Sequence, residues 1–101
     1  MDAQLAINEC QPGLAAEFAN VSADQRLSAR TVNTYQNWIA QYLTYNGMMS
    51  PASLSETNVK AFLSHLVKSL APSRAKLNQA REAIIFFYDK VLKRPLQLSK
   101  L

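Results

Sequence analysis

Two short stretches carry the residues best suited to binding chemistry. One reads Leu27-Ser28-Ala29-Arg30-Thr31-Val32-Asn33-Thr34-Tyr35, the other Ala71-Pro72-Ser73-Arg74-Ala75-Lys76-Leu77-Asn78-Gln79. Each opens with a serine able to cap a helix, continues with cations and hydrogen-bonding side chains, and leads into an apolar stripe. A helix N-terminus presents unpaired N–H groups and a partial positive charge. Arg or Lys added there makes an anion-binding end, and a polyphosphate backbone is an obvious anion. Arg30, Arg74 and Lys76 carry this reading, because a cation at that end opposes the helix dipole and costs about a few tenths of a kcal/mol unless an anion compensates. Ser28 and Ser73 read first as ordinary N-caps. The hydroxyls of Ser28, Thr31 and Thr34 can also bond phosphate oxygens, and the amides of Asn78 and Gln79 can reach base edges, adenine best. Arg74, Asn78 and Arg81 fall on one flank of their helix; Lys76, Gln79 and Lys90 fall on the other. Two such ends in one small domain suggest a clamp on a nucleic-acid backbone.

Residues for catalysis are scarce. His65 is the only histidine and has no cysteine or second histidine beside it, so it reads as a surface or boundary residue. Cys10 is the only cysteine, which rules out an internal disulfide and fits a reducing compartment. No glycine-rich phosphate loop occurs. Of the seven carboxylates, Asp2, Glu9, Glu17 and Asp24 precede residue 28, while Glu82 and Asp89 read as a solvated helix face rather than an acid–base pair. No catalytic residue, metal or cofactor is expected, and a stand-alone enzyme is disfavoured.

The elements that position these residues are helices. Val32, Tyr35, Ile39, Tyr42 and Leu43 recur every three or four residues and predict a helix from Arg30 to Tyr45, capped by Ser28 and stopped at Asn46-Gly47. Val59, Phe62, Leu63, Leu66, Val67 and Leu70 define a second helix, starting near Ser55 and ended by Ala71-Pro72. Leu77, Ala80, Ile84, Phe87, Tyr88 and Val91 define a third, from Arg74 to Lys93, stopped by Pro95. Leu14, Phe18 and Val21 suggest a short helix over 14–21, whereas residues 1–11 show no sustained period and read as frayed. The aromatic side chains recur at helical spacing and read as core rather than as base-stacking platforms. Phe86 is the exception: with Ile85 it projects off the main stripe, and an exposed Phe86 would mark a contact with another domain or subunit.

Composition agrees. Hydrophobic residues make up 49% of the 101-residue chain and there are only 2 glycines, which favours one helical domain with its own core. No apolar run approaches the length of about 18 residues needed to span a membrane, and the N-terminus lacks the pattern of a signal peptide. Residues 1–27 carry a net charge of −3 and residues 28–101 a net charge of +7, so the segment with the helix stripes is strongly basic and suits an anionic partner.

The order Ser28-x-x-Thr31-x-x-x-Tyr35, Trp38, a connection containing Pro51, Val59-x-x-Phe62-Leu63-x-x-Leu66, then Asn78-Gln79-Ala80 and Phe86-Phe87-Tyr88 resembles the N-terminal core-binding domain of tyrosine recombinases. Within that family it is most similar to integron-type integrases, through Arg30-Thr31 before Tyr35, Trp38-Ile39, and Asn78-Gln79-Ala80 with Phe86 and Tyr88. The resemblance covers residues 26–96 and rests on combined order and spacing. It implies an all-α, SAM-like orthogonal bundle of four to five helices that forms half of a C-shaped clamp around duplex DNA. The other half, with an Arg–His–Arg set and a nucleophilic tyrosine, would be a C-terminal catalytic domain absent from this chain. By the same resemblance Thr34 and Gln79 match positions facing base edges, and Arg30, Thr31, Arg74 and Lys76 match positions near the backbone. Many relatives carry a small hydroxyl where Lys76 stands, and the segment before Ser28 lacks a clear counterpart.

The expected organisation is an N-terminal extension over 1–25, partly disordered with a short helix, a core-binding domain over 26–94, and the start of a linker over 95–101. The expected DNA-contacting set is Ser28, Arg30, Thr31, Thr34, Ser73, Arg74, Lys76, Asn78, Gln79 and Arg81. The expected partners are double-stranded DNA, the absent catalytic domain and other recombinase protomers on DNA. No membrane partner is expected, the chain alone is expected to be monomeric, and the setting is the bacterial cytoplasm at the nucleoid. The alternative is a helical protein-interaction module with Phe86 and Ile85 at the contact.

Overall fold

Side-chain caps and left-handed stops determine where the helices begin and end. In the computed structural model, which describes residues 3–70 and 74–93, Ser28 is extended and its Oγ accepts the Thr31 N–H at 3.1 Å, opening the helix Ala29–Tyr45. That helix closes in a Schellman motif: Gly47 takes a φ of 72°, the Gly47 N–H donates to the Thr44 carbonyl at 3.0 Å, and the Met48 N–H donates to the Leu43 carbonyl at 2.8 Å. The same motif closes the preceding helix, Leu14–Asp24, with Arg26 rather than glycine in the left-handed position at φ 58°.

We number the helices α1 (Ala3–Cys10), α2 (Leu14–Asp24), α3 (Ala29–Tyr45), α4 (Glu56–Leu70) and α5 (Arg74–Phe86). A 3₁₀ turn, Pro51–Ser53, leads into α4, and α5 runs on as a π-helical turn, Phe87–Val91. Among the described residues there is no strand and no helix long and apolar enough to cross a membrane. The chain is an all-α bundle whose core is built from Ile7 of α1, Leu14 and Phe18 of α2, Ile39, Tyr42 and Leu43 of α3, Val59, Phe62 and Leu66 of α4, and Ala80, Ile84, Phe87, Tyr88 and Val91 of α5 and its extension.

Residues 3–10 differ from expectation. Instead of fraying they form α1, which packs on α3 and buries Ala6 and Ile7 completely or nearly so. Eight residues are too few to display a period, and the helix is held from outside: the Asn8 side-chain carbonyl accepts the Ala15 N–H at 3.1 Å, tying α1 to the first turn of α2.

The elbow between α3 and α4 is pinned by two asparagines. The Asn46 Nδ2 donates to the Tyr42 carbonyl at 2.8 Å, and the Asn58 Nδ2 donates to the Asn46 Oδ1 at 3.0 Å. The Asn58 Oδ1 in turn accepts the Ser55 N–H at 3.0 Å, reaching back over the start of α4. These bonds satisfy terminal groups that the helices themselves leave open.

The third expected helix ends earlier than its apolar stripe. After Phe86 the ladder widens by one residue, with the Leu92 N–H donating to the Phe87 carbonyl at 2.9 Å. The wider turn keeps Phe87, Tyr88 and Val91 all inside. Val67, expected on the buried face of α4, is instead 52% exposed. The linker expected over 95–101 lies outside the described residues.

Candidate nucleic-acid interface

The seam between α3 and α5 joins the two segments singled out in the sequence. Trp38 leaves α3 half-buried, and its Nε1–H donates to the Gln79 Oε1 on α5 at 3.0 Å. Deeper in, the Tyr42 and Tyr88 hydroxyls meet at 2.8 Å with both rings fully buried. The tie between the helices is therefore made at mid-helix positions, 41 and 46 residues apart in sequence. Thr34, half-buried, stands one turn before Trp38 on the same face of α3.

Arg30 is exposed in the first turn of α3, and Arg74 and Lys76 are exposed in the first turn of α5. Neither first turn holds an acidic residue. Glu82, exposed and three residues beyond Gln79, brings a carboxylate close to Tyr35 of α3. Burial pushes the Tyr35 phenol above its ordinary pKa, and the nearby Glu82 charge adds to the rise.

Ser28 and Thr31 have a structural job. The Ser28 Oγ accepts the Thr31 N–H, and the two hydroxyls also meet at 3.0 Å. Ser28 is thus an N-cap, as its position predicts, and a phosphate would have to share these groups with the cap. Ser73 lies outside the described residues.

Asn78 and Arg81 do not share the face of Gln79. With Lys60, Leu63, Ser64, Val67 and Leu77 they line a hollow of about 260 Å³ between α4 and α5. Arg81 is two residues from Gln79, which turns it about 200° around the helix. The ten expected site residues therefore divide: Gln79 lies at the α3–α5 seam, bonded to Trp38, while Asn78 and Arg81 line the hollow towards α4.

Phe86 corrects an expectation. It is not an exposed contact residue, because α2 covers it: its ring lies 5.5 Å from that of Phe18, edge to face, and 5.5 Å from that of Tyr35. Ile85 is likewise half-buried against the core. The protein-interaction reading loses the patch on which it stood. Of the other aromatics, Tyr42, Phe62, Phe87 and Tyr88 are core, as their spacing predicts. Tyr45 is 43% exposed, its ring resting on Phe62 and on His65, whose ring centroid is 4.7 Å away. Sequence reasoning missed Trp38 as a polar link; its bond to Gln79 spans two helices and leaves no local signal.

Comparison with known proteins agrees with this architecture. The family model for the phage integrase N-terminal SAM-like domain matches residues 14–98. The match takes in α2, so the segment just before Ser28 does have a family counterpart, while α1 precedes it. An integrase/recombinase from Escherichia coli and another from Pseudomonas aeruginosa are each 38% identical over 65 residues, 64% of this chain and 19% of the relative. The chain thus spans about a fifth of the length of these relatives. No solved structure matches significantly. With an all-α bundle in place and most of its length matched, the chain belongs to the phage integrase N-terminal SAM-like domain family.

Proposed function

We propose that this chain is the duplex-gripping module of a site-specific tyrosine recombinase, and that it holds DNA against the face built by α3 and α5. The observation that carries the reading is the Trp38–Gln79 bond, which joins the two helices whose first turns carry Arg30, Arg74 and Lys76. Arg30, Arg74 and Lys76 neutralise phosphates, the hydroxyls of Ser28, Thr31 and Ser73 bond phosphate oxygens, and Thr34 and Gln79 face base edges. Asn78 and Arg81, further along the flank of α5 that Arg74 begins, reach only DNA that wraps towards α4, whereas Arg74 acts from the N-terminal end of the helix.

Strand cleavage and exchange belong, in this reading, to a catalytic domain elsewhere in the parent protein, working with other protomers on the same DNA in the bacterial cytoplasm. The parent is read as an integron-type integrase on Arg30-Thr31, Trp38-Ile39 and Asn78-Gln79-Ala80. A single half of a clamp forgoes the gain from linking two binding modules, so binding by this chain alone is weak.

Fluorescence anisotropy of a labelled duplex, titrated at 50 and 200 mM salt, tests the reading. Three neutralised phosphates predict roughly a fortyfold loss of affinity between the two conditions. No binding at the lower salt, or binding indifferent to salt, contradicts it.

A further inference from the structure

We infer that Trp38 sets the hydrogen-bonding sense of Gln79, so that Gln79 meets a base edge as a donor and excludes cytosine at the position it reads. This rests on the duplex-binding reading above. An indole N–H can only donate. The Gln79 atom 3.0 Å from Trp38 Nε1 must therefore be the amide oxygen, and the Gln79 NH2 group, with both of its N–H bonds, is turned away from the tryptophan. Gln79 is exposed, so that NH2 group is what an incoming ligand meets first.

A glutamine free to rotate offers either its oxygen or its nitrogen to a base, because a half-turn about the last side-chain bond exchanges them. Tied to Trp38, it cannot make that exchange without giving up the bond between α3 and α5. In the major groove, guanine presents acceptors at O6 and N7, adenine one at N7 and thymine one at O4. Cytosine presents only its N4 amino donors. A donor fixed outward finds a partner on the first three bases and faces another donor on cytosine. Trp38 is thus a positioning residue: it touches Gln79, and through it selects bases.

The test is selection of bound duplexes from a randomised pool by the 101-residue chain at low salt, followed by affinities for the selected sequence with each base at the Gln79 position. The wild-type chain is expected to disfavour cytosine by about tenfold or more at one position. Gln79→Ala identifies that position by losing the preference there alone. Trp38→Phe is expected to admit cytosine at the same position, within about twofold of the preferred base, while the preferences at other positions stay unchanged. Because the chain has a single tryptophan, replacing it biosynthetically with benzothienylalanine removes the N–H while keeping the ring shape, and gives the same result without a packing defect. A cytosine preference unmoved in the benzothienylalanine protein overturns the inference and leaves duplex binding standing. Failure of the wild-type chain to retain any duplex overturns both.

Discussion

The hydroxyls of Tyr42 and Tyr88 lie 2.8 Å apart with both rings fully buried, one on α3 and the other on the π-helical turn that extends α5. A phenol buried without a partner costs stability, and here each supplies a partner to the other. The contact fixes α3 against α5 from the inside, as Trp38 and Gln79 do from the outside.

Tyr42→Phe and Tyr88→Phe are each expected to lower stability by about 0.5–1.5 kcal/mol. The double variant should lose less than the sum, because the two changes remove one shared bond. Urea unfolding of the four proteins measures the coupling. Strict additivity would show that the hydroxyls do not interact.

Phe86 is half-buried between Phe18 and Tyr35, so Phe86→Ala is expected to cost about 2–4 kcal/mol, somewhat below the range for a fully buried phenylalanine. Thermal unfolding measures it. A variant as stable as wild type would restore Phe86 to the surface and revive the protein-interaction reading.

Burial first, and the Glu82 carboxylate second, raise the Tyr35 pKa. A pKa raised in the folded state means a contribution to stability that is complete below the ordinary tyrosine pKa of 10.0 and is lost as pH climbs through the folded value. Glu82→Gln should bring the Tyr35 titration part of the way back, leaving the portion due to burial. Carbon-13 labelling of the tyrosine rings follows this residue by NMR. A titration unchanged in the variant would show that the carboxylate does not act on the phenol.

Arg74→Ala and Lys76→Ala are expected to weaken duplex binding about equally for all sequences, each reducing the salt slope by about 1. Gln79→Ala should instead reduce discrimination between sites, by about tenfold at the position Gln79 reads. The same anisotropy titrations, run on a selected and a random duplex, separate the two behaviours. Unchanged affinity in both cation variants would remove these residues from the interface.

Much of the fold was legible because it is written locally. Ser28, the stripe from Val32 to Leu43 and Asn46-Gly47 specify α3 almost to the residue, and the stripe from Ala80 to Val91 identifies the buried face of α5. What escaped is tertiary. Ile7 has no periodic neighbours to advertise it and is buried because α1 packs against α3. Phe86 leaves the stripe of its own helix, and only the arrival of Phe18 encloses it. The flanks of α5 were readable from helical geometry, which separates Gln79 from Arg81. Which flank meets α3 was not, since it depends on a hydrogen bond between residues 41 apart.

The most direct test of the central claim is an amide NMR titration of the chain with a short duplex at low and moderate salt. The account predicts shifts clustered at residues 28–38 and 74–82, including the Trp38 indole N–H, that fade as salt rises. Shifts confined to the hollow between α4 and α5, or none at low salt, would contradict it.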